Sequence, residues 1–425
     1  MSNVIQTLRE RGLLQDVTDP GLEKMLNDKK VSVYVGFDPS ADSLHVGHMI
    51  GAMILKHFQL AGHRPIAVVG GATGMIGDPS GRSAERNLLT REQIECNKAG
   101  LKENLSRFID FGADKGLLLD NADWLAPFSF LDFMRDVGKH FRIGDMLSKD
   151  SVKSRLSSES GLSFTEFSYM LLQAYDFLHL YKTHDCRVQA GGSDQWGNIT
   201  AGTELIRRTV DNGQGYGITT PLLMNAQGQK MGKTADGAVW LSANKLSPYK
   251  FYQFWIQQED ASLENLFKKL TLLPLDEIAS IVKKHGEDPS LRYGQKRLAA
   301  AITELVHGAD ALQKAKDASQ FLFSGVIVNK SDSQLLEVFA DVPSVTMPRV
   351  ELEQGLPVIE ILVRSELASS KSEARRLLDQ KGFYLNLDHN PFDQSHKVLT
   401  PAWLASESMM ILRAGKKKYC LVRFV

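Results

Sequence analysis

The stretch VSVYVGFDPSADSLHVGH, residues 31–48, passes from a β-branched apolar run through a polar turn to a pair of histidines. Over 31–37 a period of two puts Tyr34 on one face with Ser32 and Gly36, opposite Val31, Val33, Val35 and Phe37. That is a strand, and Gly36 leaves room beside Tyr34 for a ligand. Asp38-Pro39-Ser40 is a turn. Helical periodicity follows from about Leu44 to Leu60, with Ser43 as its expected cap. RPIAVVGG at 64–71 reads as the next strand, so strand, helix and strand make the βαβ unit of a parallel sheet.

A second strand-to-helix unit lies far downstream, where CRVQAGG at 186–192 leads into SDQWGNITAGTELIRR, with Ser193 as its expected cap. The segment between, about 82–185, reads as mostly helical and as an insertion. The fold class expected is α/β: a Rossmann-like parallel sheet in two nucleotide-binding halves, with a crevice at the carboxyl ends of its strands. Residues 1–243 are expected to form this domain, 244–323 an α-helical domain, and 324–355, richer in Pro, Ser and Gly, a linker. Residues 356–425 then form a small α+β domain. No fixed-period repeat or low-complexity tract interrupts the 425 residues.

With 43% hydrophobic and 24% charged residues, the composition is that of a globular protein of more than one domain. Lys+Arg and Asp+Glu both number 50, so a nucleic-acid surface must be a local patch. Cys96, Cys186 and Cys420 stand singly, without CxxC or Cys/His spacing, which argues against a disulfide framework or structural zinc and for a reducing, cytoplasmic setting. The first twenty residues lack an apolar signal core, and no 18-residue apolar run follows, so neither export nor a membrane span is expected.

His45 and His48, three apart, share one face of the first helical turn, where backbone N–H groups favour phosphate charge. Gly47 between them removes a side chain where a flat base could approach. Lys230-Met231-Gly232-Lys233-Thr234 lies in a glycine-bracketed loop whose two ammonium groups could reach a polyphosphate and withdraw. The rival reading of each motif alone is a solvated turn. Their pairing, HxGH after the first strand and a lysine loop after the second half, is what favours nucleotide chemistry.

On the helix 165–181, expected to open with a Ser163-x-x-Glu166 capping box, Tyr169, Gln173 and Asp176 stand at i, i+4 and i+7 on one stripe. A phenol, an amide and a carboxylate together suit a polar ligand better than a core. VVGGATGMIGDPSG at 68–81 has glycines after a strand, but the acidic residue of a dinucleotide site is not placed about 20 positions on, so a dehydrogenase fits poorly.

These motifs, with FTEFSYMLLQAYDF at 164–177, GGSDQWGNIT at 191–200 and KMGKT at 230–234, resemble the bacterial-type tyrosyl-tRNA synthetases of class I over essentially the full chain. The resemblance implies an ATP-dependent ligase, with magnesium on the phosphates, that charges a tyrosine tRNA as a homodimer, without DNA or membrane partners. It gives Tyr34 and Asp176 to the phenolic hydroxyl of tyrosine, Asp78, Tyr169 and Gln173 to its α-amino group, and Gln195 to its carboxylate. It gives Gly36, Asp38, His45, Gly47, His48, Gly192, Asp194, Lys230, Met231 and Lys233 to ATP. His45, His48, Lys230, Lys233 and Thr234 would stabilise the reacting phosphates, together with Arg82 and Arg86 from a loop that reaches the pyrophosphate. Val35, Ser40 and Gly51 depart from some relatives, which leaves ribose contacts at Val35 and Gly51 open, and KMGKT replaces the class consensus KMSKS.

From Arg364 onward eleven Lys and Arg face six Asp and Glu, a local excess of five positive charges. A helix from Ser370, with a Ser370-x-x-Glu373 box, carries Lys371, Arg375 and Arg376 ahead of the turn at Gly382 and the strand FYLN; Lys416, Lys417 and Lys418 follow. The tail resembles a small RNA-binding domain first seen in a ribosomal protein, and these six residues are its candidate RNA contacts. Three rivals remain. A tryptophanyl synthetase shares the architecture but not the pair Tyr34 and Asp176. A small nucleotidylyltransferase shares HxGH but lacks the lysine loop, and a non-catalytic RNA-binding descendant would have eroded motifs.

Overall fold

A computed structural model describes residues 3–80, 89–112, 114–157, 161–225, 228, 230–234, 237–324, 331–332, 335–336, 339, 342–386, 388, 390–392, 394–415 and 418–425, with backbone alone at 233–234 and 321–324. The chain divides into two compact units, Met1–Leu246 with Phe254–Gly308, and Ser247–Gln253 with Ala309–Val425. Arg82, Arg86, Lys416 and Lys417 lie outside the described residues, as do the side chains of Lys233 and Thr234.

The first unit is built on a six-stranded sheet: β1 (Asp16–Val17), β2 (Ser32–Phe37), β3 (Arg64–Val69), β4 (Leu117–Asp120), β5 (Cys186–Gly192) and β6 (Tyr216–Thr220). Its order is β1-β6-β5-β2-β3-β4, parallel except for the β1 edge. From β2 the chain winds outward through β3 to β4, and from β5 it winds the other way to β6. The reversal between β2 and β5 is a topological switch point, which opens a crevice at their carboxyl ends. Both faces of β2 are covered, which is why it reads as a nearly continuous apolar run; only Gly36 is exposed.

Four helices position the site: α1 (Met49–Leu60), α2 (Arg91–Ser106), α3 (Phe164–His184) and α4 (Trp196–Thr209). Eight of the twelve residues of α1 are buried, as a helix wedged against β2 and β3 requires. The segment 82–185 is not purely helical, because β4 within it extends the main sheet beside β3. Residues 254–307 contain helices and no strand, and fully bury Trp255, Leu266, Phe267, Leu298 and Ile302.

The second unit holds a four-stranded sheet in the order Phe383–Leu385, Met409–Ala414, Lys418–Phe424, Ser344–Met347, with the last pair parallel. Met347, Val358, Ile361, Leu378, Phe383 and Val422 fill its core. The strand Ser344–Met347 and the helix Arg349–Gln354 therefore belong to this unit, within a stretch expected as linker. Their apolar residues Met347 and Leu352 are buried, which a solvated linker would not do. Among the described residues no helix is long and apolar enough to cross a membrane.

Candidate active site

The crevice between β2 and β5 holds a cavity of about 430 Å³. Tyr34, Gly36, Asp38, Asp78, Tyr169, Gln173 and Asp176 line it, as do His45, Gly47, His48, Gly192, Asp194 and Gln195. A separate hollow of about 480 Å³, beside Arg142, Lys149 and Arg208, contains none of these residues.

The deepest polar groups come from β2, α3 and β5. Tyr34 is 1% exposed, packs its ring 5.5 Å from Phe177, and its hydroxyl has no hydrogen-bond partner in the protein. Asp176 is buried on α3, accepting from Asn121 Nδ2 at 3.0 Å and from the Trp124 indole at 2.7 Å. Burial pushes its carboxyl up to about 7, the carboxylates of Asp38 and Asp120 push the same way, and the two donors oppose them. Burial and the nearby Asp176 also hold the Tyr34 phenol protonated. Gln189 on β5, in register with Tyr34, is 2% exposed and leaves its Oε1 without a partner. A cavity lined by two unpaired polar groups is incomplete without a polar ligand.

At the next level Asn198, on α4, donates to Gln173 Oε1 and Gln195 Oε1, both at 3.1 Å, and lies 3.5 Å from Asp78 Oδ1. Gln195 Nε2 in turn donates to Asp78 Oδ2 at 2.7 Å. The Tyr169 hydroxyl donates to Asp38 at 3.3 Å. Thr73 Oγ1 donates to Asp38 and accepts from Asn121, so one chain of hydrogen bonds runs from Tyr169 to Asp176. Asn121, Trp124, Gln189 and Asn198 went unread in the sequence. Gln189 is alone on a strand, and the others act through partners distant in sequence: Asp176 for Asn121 and Trp124, Gln173 and Asp78 for Asn198.

The opposite end is basic. His45 caps a single 3-10 turn, Val46–His48, before α1: Gly47 N donates to His45 Nδ1 and His45 N to His48 Nδ1, each at 3.1 Å. Ser43 is therefore not the cap; its hydroxyl is engaged by Asn104, Leu44 and Ser242. The imidazoles lie 3.9 Å apart, tilted by 31°, with His45 and Gly47 next to the loop that carries Met231 and Gly232. A Cβ at Gly47 would meet His45 Cε1 at 2.8 Å, so a larger residue there would displace the His45 ring. Lys230 Nζ is 3.6 Å from Asp194 Oδ2, and burial raises the Asp194 carboxyl although Lys230 opposes it. Met231 is buried, and the lysine loop is a short hairpin in which Lys233–Thr234 pair with Gly237–Ala238.

Three further caps differ from expectation. Ser193 lies inside a 3-10 turn capped by Gly192, with no side-chain cap bond. Ser163 caps α3 by accepting from Glu166 N at 3.2 Å, but Glu166 does not close the box, because both its oxygens hold Arg155 at 2.8 Å. In the second unit Ser370 caps Lys371–Asp379, while the Glu373 carboxylate reaches Ser369 instead of Ser370. Lys371, Arg375, Arg376 and Lys418 are all exposed there.

Comparison with known proteins places the chain in a family. The family described as tRNA synthetases class I (W and Y) matches residues 26–324, and the C-terminal domain of tyrosine–tRNA ligases of the SYY type matches 334–422. A tyrosine–tRNA ligase of Rhodopirellula baltica is 50% identical over 425 residues, 99% of this chain and 96% of the relative. That of Roseiflexus castenholzii is 48% identical over the whole of both chains. A C-terminally truncated mitochondrial tyrosyl-tRNA synthetase of Aspergillus nidulans superposes with a TM-score of 0.68 at 33% identity, over 76% of this chain and 95% of that one. The chain belongs to the class I tRNA synthetases of the tryptophan and tyrosine family, and carries the C-terminal domain of the tyrosine enzymes.

Proposed function

We propose that this protein is an ATP-dependent tyrosine–tRNA ligase of the cytoplasm, which joins tyrosine to AMP and then passes it to the 3′ end of its tRNA. The observation that carries the reading is the pair at the bottom of the cavity. Tyr34 supplies an unpartnered hydroxyl and Asp176 a buried acceptor, which together suit a phenol. A phenylalanine ring there would leave the Tyr34 hydroxyl without a partner and give Asp176 no donor beyond Asn121 and Trp124, at a cost in desolvation.

Asp78, Tyr169 and Gln173 hold the ammonium in this reading, in a region where the three carboxylates Asp38, Asp78 and Asp176 favour positive charge. Gln195, oriented by Asp78 and Asn198, takes the carboxylate. Gly36, where a Cβ would meet nothing within 4 Å, leaves space for ATP above β2, while Asp38, Gly192 and Asp194 bind its nucleoside and Gly47 admits the base. The tyrosine carboxylate attacks the α-phosphate in line; the bond from that phosphorus to the bridging oxygen breaks and pyrophosphate leaves. A carboxylate needs no general base, so His45, His48, Lys230, Lys233 and Thr234, with Arg82 and Arg86, act by positioning and charge stabilisation. Met231 seats the lysine loop. Magnesium would travel with the phosphates, since this metal is ordinarily held by phosphate and water.

The exposed Lys371, Arg375, Arg376 and Lys418, with Lys416 and Lys417, contact the tRNA. A homodimer is supported by Phe130, Leu131, Ile143 and Phe164, each more than 60% exposed within residues 130–164. The three cysteines are free, as a reducing compartment requires. Amino-acid-dependent ATP–pyrophosphate exchange tests the activation step. Exchange with tyrosine alone among the twenty amino acids, lost in Lys233→Ala, is expected. Exchange with tryptophan would overturn the pocket assignment.

A further inference from the structure

The loop 38–45 carries Asp38 and leads into both histidines, yet it contains no regular hydrogen-bonding ladder of its own. Beyond Asp38, which Tyr169 and Thr73 hold, two neighbours grip it. On one side lies α2, whose residues Asn97, Gly100 and Asn104 form a single stripe at helical spacing. Asn97 Nδ2 donates to Pro39 O at 2.8 Å. Gly100 touches the loop with its backbone, since a Cβ there would sit 1.8 Å from Asp42 O. Asn104, 5% exposed, accepts from Leu44 N at 2.8 Å, and the Ser43 hydroxyl lies 3.1 Å from the same oxygen.

On the other side is the segment that follows the lysine loop. Ser242 N donates to Ser43 Oγ at 3.0 Å, Leu241 N to Leu44 O at 2.8 Å, and Val46 N to Val239 O at 3.0 Å. The Leu44 amide is thereby held by α2 and its carbonyl by the 239–242 segment. One buried amide oxygen thus meets the link between the histidine turn and the lysine segment. A leucine at 104 would fill the same space but strand the Leu44 N–H.

We propose that Asn104 is a positioning residue for the ATP half of the reaction, fixing the histidine turn against the lysine-loop segment through Leu44 and Ser43. The inference rests on the tyrosine-activation reading above. It separates Asn104 from the tyrosine pocket, since the bonds of its side-chain oxygen go to Leu44 and Ser43 and not to Tyr34, Asp78, Tyr169, Gln173, Asp176 or Gln195.

The test measures tyrosine binding at equilibrium and the rate and ATP KM of pyrophosphate exchange on the full chain. Asn104→Ala is expected to keep tyrosine affinity within about twofold while adenylate formation falls about tenfold or more, since small misplacements at reacting groups cost that much. Asn104→Asp, which keeps the acceptor, is expected to recover most of the rate. Ser43→Ala should fall less, and the double variant should fall by less than the product of the two, because both act through one link. If Asn104→Ala does not fold, Ser43→Ala decides by the same split. Equal losses of tyrosine affinity and rate, or an unchanged rate in a folded variant, would overturn the inference while native exchange with tyrosine leaves the activity intact. Absence of exchange in the native enzyme would remove both.

Discussion

Trp124 donates its indole N–H to Asp176 at 2.7 Å, across 52 residues of sequence, and so holds a buried carboxylate at the floor of the cavity. In the unliganded protein the Asp176 carboxyl stands near 7, far above its value of about 4 in an unfolded chain. Between those values the folded state binds a proton that the unfolded state has released. This contribution to stability therefore falls as pH rises from about 4 to about 7, and is flat above. A bound phenol donates to the ionised form, so tyrosine affinity is expected to climb through pH 7 to a plateau. Trp124→Phe removes a donor to the charged form and should move that midpoint upward, with weaker binding at pH 7. Equilibrium dialysis of labelled tyrosine across pH 5.5–9 reads both effects; an unshifted midpoint in the variant would sink the assignment.

Tyr34→Phe separates stability from recognition. The native hydroxyl is buried without a protein partner, so its loss should leave the unliganded protein as stable or more stable by about 1 kcal/mol. Tyrosine then loses one hydrogen bond and phenylalanine loses none. Discrimination between the two in pyrophosphate exchange should drop about tenfold, the worth of a hydrogen bond of ordinary strength. Urea unfolding supplies the first number and exchange kinetics the second.

Legibility in the sequence followed the range of the interactions. Tyr34, Asp176, His45 and His48 were readable because local periodicity fixes which face each occupies, and the βαβ pattern fixes where the strands end. The cap at Ser43 was misread because its hydroxyl is taken by Asn104, 61 residues away, and by Ser242, 199 away. Glu166 left its capping box for the same reason, drawn to Arg155. β4 was missed because LLLD is a four-residue run at a sheet edge, too short to show alternation within a helical stretch. Trp124 declares itself only once its segment is packed on α3, and Asn198 only once α4 is.

Exposed apolar side chains between 130 and 164 carry the assembly proposal. Leu131 is 76% exposed and Ile143 61%, a poor state for a monomer in water. Leu131→Asp with Ile143→Asp places charge on that surface, and should shift sedimentation from dimer to monomer, with exchange activity becoming dependent on protein concentration. A native protein that sediments as a monomer at micromolar concentration would end the proposal.

Arg155 and Glu166 bury a bidentate ion pair, with side chains 2% and 3% exposed, at the entry to the helix that carries Tyr169, Gln173 and Asp176. Desolvating two charges is expensive, and their attraction offsets it only while both are present. Glu166→Gln removes one charge and leaves the guanidinium buried, which should cost about 3–5 kcal/mol of stability. Replacing both, as Arg155→Met with Glu166→Leu, leaves no uncompensated charge and should return stability to within about 1 kcal/mol of the native protein or above it. The two variants also divide the pair's roles. Ser163 still caps α3 in both, so recovery of stability without recovery of tyrosine KM would mean that the pair sets the helix's position along the cavity. Recovery of both would mean that it only pins the start of the helix. Urea titration of the three proteins, with tyrosine KM measured in parallel, distinguishes these outcomes.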